Sequence, residues 1–354
     1  MRHNCCSVEF QPLGGGFLMH KKVAAWLTTL IIALFTCLKA DAVVPPNQLL
    51  VGQTFINAVP IGFWIGMEQG FFKKYGLDIK IVYFRGNPIG TQALLTGSIP
   101  ILMAGPHSAV AARAGGADLV EFATVAPAMP YVIAVRKDIK STEELRGKLF
   151  GVSGTGLSAS YIGAIIGLKH LGLDPKRDKI VLIATGNEVD RHVALSQGVL
   201  AGSVFDRLYK PAIEKDRFPI LADLGTLGIP WEHDVLLSTS KFLRDNPKTV
   251  ESLLKGLLEA NAFILNPINK EVVKKTLVKN LGPKMGDGTA AYEEVVSLWV
   301  KTRPYPNRKG IQSIIDEVKQ INPAVAKLKL DEFVDETILA RIDQSGFIDH
   351  LQAK

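Results

Sequence analysis

The sequence predicts an α/β fold of two lobes. Each lobe is built on a parallel sheet, a two-segment hinge joins them, and a helical extension closes the chain. Three observations predict this. One unit occurs twice, about 100 residues apart: Lys73-x-x-Gly76-Leu77-Asp78, an apolar run from Ile79 to Phe84, Gly86-Asn87, then Ala93-Leu94-x-x-Gly97. Its second copy reads Lys169-x-x-Gly172-Leu173-Asp174, Ile180 to Ala184, Gly186-Asn187, then Ala194-Leu195-x-x-Gly198. Apolar runs alternate with helix-length segments over short loops, which favours parallel βαβ units. Two breaker-rich stretches, Ala126-Pro127-Ala128-Met129-Pro130 and Gly225 to Trp231, mark where the chain passes between lobes and returns. Duplicated α/β units of this kind imply a cleft between two similar halves.

In order along the chain, Leu49 to Phe55 reads as a buried strand, and Ile61 to about Lys74 as a helix closed by Gly76 in the manner of a C-cap. The strand Ile79 to Phe84, a helix to Leu95 and a strand from Ile99 to Met103 follow. A small-residue helix runs from Pro106 through Ala114, then the strand Leu119 to Val125. Past the first crossing comes the strand Tyr131 to Arg136, and Ser141-Thr142-Glu143-Glu144-Leu145 starts a helix with an acidic first turn. After the return crossing, Asn246 is an N-cap with Pro247 at the first helical position. Val250, Leu253, Leu254, Leu257 and Leu258 form a core stripe at helical spacing. Further amphipathic helices cover Lys270 to Leu281, Thr289 to Lys301, Ile311 to Ile321 and Glu336 to Asp343. The expected division is a leader over 1–42, lobe one over 43–128 with 231–265, lobe two over 129–230, and helices over 266–354 packing on lobe one.

Composition narrows the class. His20-Lys21-Lys22, the apolar run Val23 to Leu38 and Ala40-Asp41-Ala42 have the order of a cleavable export signal, over about 19–42. The run is shorter than the ~20 residues that cross a bilayer comfortably. Phe35-Thr36 is a poor lead-in to a lipidated Cys37, and residues 1–18 precede a second Met as an upstream start would. All three cysteines (Cys5, Cys6, Cys37) fall in this leader, so the mature chain has no disulfide, thiolate nucleophile or cysteine-based metal site. The net charge of +7 is scattered, without basic blocks interleaved by aromatics, which excludes nucleic acid as a partner. His107, His170, His192, His233 and His350 show no spacing of three or four, so no metal is expected, and no cofactor.

The chain resembles the periplasmic substrate-binding proteins of ABC importers, in the nitrate/sulfonate/taurine-type branch that also holds binders of the thiamine pyrimidine precursor. The resemblance rests on Gly70-Phe71-Phe72-Lys73-Lys74-Tyr75-Gly76-Leu77, Ala93-Leu94-Leu95-Thr96-Gly97, Ala114-Gly115-Gly116-Ala117-Asp118-Leu119, Glu144-Leu145-Arg146-Gly147-Lys148 and Leu171-Gly172-Leu173-Asp174-Pro175. It implies the type II periplasmic-binding fold. It also implies an exported monomer that closes over a small organic anion or polar heterocycle and delivers it to an ABC permease and its ATPase. Two rivals share the fold: a sensing module, and a pyrimidine-forming enzyme, whose eukaryotic members carry a cysteine-rich motif that the mature chain lacks.

In such a fold a ligand meets strand carboxyl ends and helix amino ends, where free N–H groups favour an anion by ~0.3–1 kcal/mol. The candidates are Ser153, Thr155 and Ser158 in Gly151-Val152-Ser153-Gly154-Thr155-Gly156-Leu157-Ser158-Ala159, with N-capping as the alternative use of these hydroxyls. The same stretch fits a dinucleotide fingerprint, but the strand ending at Ala184 is followed by Thr185-Gly186, with no acid to hold a ribose. Gly105, His107 and Ser108 open a helix after the third strand, and Asn57 and Asn187 sit in turns that they also shape. Met129 lies in the first crossing, and Asp206 with Arg207 follows a strand, where Arg pairs with a sulfonate, a carboxylate or its own neighbour. Phe63, Trp64 and Trp231 offer a stacking wall for a planar ligand; packing is the default for the first two, and Trp231, beside the second crossing with Glu232 and His233, is the candidate for contact.

Overall fold

The computed structural model describes residues 47–282 and 286–352. The leader expected over 19–42, its three cysteines and the start at residues 1–18 lie outside the described residues. In chain order the strands are β1 (Gln48–Gln53), β2 (Asp78–Tyr83), β3 (Ile101–Ala104), β4 (Val120–Ala126) and β5 (Tyr131–Val135). Then come β6 (Leu149–Val152), β7 (Val181–Ala184), β8 (Gly202–Asp206), β9 (Ile220–Asp223) and β10 (Asp234–Ser238). They form two five-stranded sheets with spatial orders β2-β1-β3-β10-β4 and β7-β6-β8-β5-β9. Both follow one rule: second, first, third, crossing strand, fourth.

Each sheet is parallel-based, as expected, with one strand reversed at that crossing position. β10 runs antiparallel to β3 and β4, and β5 runs antiparallel to β8 and β9. Each lobe therefore completes its sheet with a strand laid down just after a passage between lobes. The all-apolar faces of Tyr131–Val135 and Val235–Leu237, buried throughout, suit a central position between two covered faces.

The repeat sets local structure as its glycines require. Gly76, Gly97, Gly172 and Gly198 all have φ between 73° and 80°, left-handed values that close the preceding helix or turn. Gly70, at φ 76°, also breaks the expected helix Ile61 to Lys74 into Ile61–Glu68 and Phe71–Lys74. The helix expected at Ser141 is a single tight turn, Glu143–Leu145, stopped by Arg146 in extended conformation. Asn246 precedes the helix Pro247–Leu265 but caps it with no side-chain bond; its amide donates back to the Phe242 carbonyl. The stripe Val250, Leu253, Leu254, Leu257 and Leu258 is buried as its spacing dictates.

Several C-terminal helices pack against β4 and against helix Pro247–Leu265 beside the first sheet. Helix Arg308–Val318 departs from this: it lies against His107–Ala114 of lobe one and also against Ala159–His170 of lobe two. Its Ile311, Ile314, Ile315 and Val318 join an apolar core that continues from Leu102 and Val110 into Ile133, Phe150 and Ile162. An apolar stripe wide enough to face two neighbours explains the bridging position. Among the described residues no helix is long and apolar enough to cross a membrane.

Candidate functional site

The two sheets meet where the carboxyl ends of their parallel strands converge with the start of each antiparallel strand. His107 begins the helix His107–Ala114 directly after β3, and Trp231, Glu232 and His233 lead into Asp234 of β10. From the other lobe come Tyr131 at the start of β5 and Asp206 at the end of β8. A π-helical turn, Val295–Trp299, follows helix Thr289–Glu294 and brings Trp299 and Glu294 to the same place. Extra-residue turns of this kind cost helix regularity and concentrate where a side chain must be re-aimed.

Rings line the inner end of this seam. His107 stands 5.4 Å from Trp231 between centroids, Tyr131 of lobe two meets His233 of lobe one edge-on at 5.8 Å, and Trp299 lies 5.6 Å from His233. Trp231 Nε1 donates to His233 Nδ1 at 3.5 Å. Trp231 is fully buried, so it is part of the seam's floor and not the open stacking wall expected beside the hinge. His107 is also fully buried, and neither ring nitrogen has a hydrogen-bond partner among the described residues.

Carboxyl groups surround the rings. Asp234 Oδ2, 3.4 Å from His233 Nε2, makes no hydrogen bond, and Trp299 Nε1 points toward Glu294 without closing one. Glu232 is held more fully, by the Thr124 hydroxyl and by Asn307 N–H at 2.7 Å. Burial pushes Asp206 up to about 7, Glu232 up to about 8, and Glu294 up to about 9 with Asp206 adding to it. Asp234 is driven well up, by burial first and then by Asp206 and Glu232. Burial likewise pulls His107 down to about 4 and His233, with His107 beside it, down to about 3. Removing a charge from water disfavours its charged form, and here burial outweighs the opposing pull of Arg191 and Arg207 on Asp206 and of Arg207 on Glu294.

Other expected site residues have structural partners. Asn57 Oδ1 accepts from Val59 N–H at 2.9 Å and shapes its own turn. Asn187 caps helix Glu188–Ser196 by accepting from Val189 and Asp190 N–H, with Asp190 returning the bond. Its partner in the repeat differs: Asn87 accepts from Thr54 Oγ1 at 2.6 Å and lies 3.4 Å from the Gly105 carbonyl, tying β1 to β3. Ser158 accepts from Tyr161 N–H as N-cap of helix Ala159–His170, and Ser160 binds both the N–H and the hydroxyl of Ser153. Thr155 is exposed on that loop. Met129 is buried in the shared core, and Gly105 backs His107, since a Cβ there would lie 3.0 Å from Nδ1. Ser108 is buried with its hydroxyl unpartnered. Arg207 is a local pair: Nε lies 2.8 Å from Asp223 Oδ1 and Nη2 donates to Oδ2 at 3.0 Å.

The sequence thus points to His107, Trp231, His233 and Asp206, which converge, and to Asn187 and the Ser153 loop, whose bonds are local. It misses Asp234, Glu294, Tyr131 and Trp299. One signal for Asp234 was available: Glu232-His233-Asp234 runs straight into the apolar Val235-Leu236-Leu237, so polar groups enter a buried strand. Asn187→Ala is expected to cost ~0.5–2 kcal/mol of stability, as cap deletions do, while leaving ligand affinity unchanged by titration. A large loss of affinity would move Asn187 into the site.

Residues 57–269 match the model of the NMT1/THI5-like family, and the chain belongs to that family. A curated relative, the formylaminopyrimidine-binding protein of Halalkalibacterium halodurans, is 21% identical over 272 residues, covering 68% of this chain and 81% of that protein. The periplasmic aliphatic sulphonate-binding protein SsuA of Escherichia coli shares the fold with TM-score 0.64 and 22% identity, over 81% of this chain and 91% of its own. The desulfurization enzyme DSZB shares it too, with TM-score 0.58 and 15% identity, over 84% of this chain and 99% of its own.

Proposed function

We propose that this chain is an exported solute receptor. It captures a small organic molecule, of the anion or polar-heterocycle class, between its lobes and presents the closed form to an ABC permease. The carrying observation is the seam. Two sheets of identical strand order place buried polar groups without partners, His107 and Asp234 of lobe one, against Tyr131 and Asp206 of lobe two. Unpartnered buried polar atoms are costly, by about 1–3 kcal/mol each, and a ligand that satisfies them repays that cost only when the lobes are together. Among the described residues the strands of the two sheets are joined by two crossings, 127–130 and 224–233, which serve as the hinge. The sulphonate and formylaminopyrimidine binders among the similar proteins support a binding role over an enzymatic one. The leader read from residues 19–42 supports export.

The experiment is small-angle scattering of the protein purified from its host, before and after removal of co-purified solute identified by native mass spectrometry. Expansion on removal and contraction on return are expected. A radius of gyration indifferent to the solute that binds would overturn the clamp.

A further inference from the structure

Resting on that receptor reading and narrowing its ligand class to the polar heterocycles, we propose that the seam selects a ligand bearing a positively charged nitrogen, an ammonium or amidinium on a flat apolar body, in preference to organic anions. The donors and acceptors of the seam point this way. The nearby cations are already committed. Arg191 is 1% exposed in its side chain and gives Nε to the Val204 carbonyl, Nη1 to the Gly186 carbonyl and Nη2 to Glu188. Arg207 turns two of its three nitrogens onto Asp223, which Lys210 also approaches at 3.5 Å. Acceptors, in contrast, are in surplus: Asp234, 3% exposed, and Glu294, 7% exposed, each keep an oxygen without a bond.

A second, independent observation is the set of rings. Trp231, Trp299, Tyr131 and His233 stand within one side chain of those carboxylates, and ring faces attract cations while repelling anions. His107, whose ring nitrogens have no partner among the described residues, adds a neutral polar edge beside Trp231. Burial keeps Asp234 and Glu294 protonated, outweighing the pull of Arg207 on Glu294, and a cation arriving between them would reverse that.

Four size-matched probes decide it: benzamidine, phenyltrimethylammonium, neutral benzamide and benzenesulfonate, each titrated calorimetrically into solute-free protein and followed by scattering. The cations are expected to bind at least about tenfold more tightly than benzenesulfonate and to contract the molecule. Asp234→Asn is expected to remove at least about tenfold of the cation affinity while leaving that of benzamide unchanged, with Glu294→Gln as the second variant should the first not fold. Contraction with benzenesulfonate at equal or higher affinity overturns the charge assignment and leaves the receptor reading standing. Should neither any probe nor the co-purified solute contract the protein, the receptor reading itself falls and takes this inference with it.

Discussion

Gly310→Ala is expected to lower the thermal midpoint more than any other single added methyl along the C-terminal helices. A Cβ at Gly310 would stand 2.3 Å from the Trp231 carbonyl carbon, 2.4 Å from its oxygen and 2.8 Å from Glu232 N. All three are backbone atoms, so no rotamer change relieves the clash. Nor is that backbone free to retreat, because Asn307 Nδ2 donates to the Trp231 carbonyl at 2.9 Å and Asn307 N–H to Glu232. Overpacking costs ~1–3 kcal/mol where side chains yield, and a rigid neighbour places this case at or above the upper end. At ~2.1 cal/mol/K of unfolding entropy per residue, ~3 kcal/mol in a chain of this size corresponds to a fall of roughly 5 °C in a calorimetric scan. An unchanged midpoint would mean that helix Arg308–Val318 slides off the second crossing at little cost.

The second large effect is a narrow pH optimum for stability on the acid side of neutrality. Asp206, Glu232 and Glu294 have folded values of about 7, 8 and 9, each above its unfolded value of ~4. The folded state therefore binds more protons than the unfolded chain. The stability these acids contribute is complete below pH ~4 and is lost progressively as pH rises through 7 to 9. His107 and His233 have the opposite sign: their folded values of about 4 and 3 lie below the unfolded ~6.5. Their contribution is present above pH ~6.5 and is lost on acidification through 4 and 3. The two limbs meet near pH ~5, where urea unfolding should give the highest free energy. Glu232→Gln is expected to flatten the alkaline limb. A profile level from pH 5 to 9 in the parent protein would show these acids to be hydrated and not enclosed.

Much of the architecture was legible because a repeat constrains topology more than any single segment does. Gly76 and Gly172, with their following strands, fix the same helix-to-strand joint in each half, and both sheets indeed take one strand order. Strand direction was not legible. Tyr131–Val135 is buried along its whole length and would read alike whichever way it ran. The site was legible in part. His107 follows a strand at the expected edge, whereas Arg207 looked like a ligand clamp only because the sequence does not show Asp223 arriving from 16 residues away. Glu294 was hidden for another reason: beside Glu293 in Ala291-Tyr292-Glu293-Glu294-Val295 it carries no spacing signal of its own, and its role emerges only from what the fold brings opposite.

The placement of β10 has a consequence for the order in which the molecule can be completed. Everything the second sheet needs has been synthesised by Asp223, yet the first sheet waits for Asp234–Ser238 to slot between β3 and β4. The amino-terminal half therefore emerges first and finishes last. Until then two apolar strands face each other across a vacant rung with their amide edges bare, a state prone to pairing with other chains. A nascent polypeptide stalled short of residue 234 is expected to carry one finished half and one exposed to capture by chaperones.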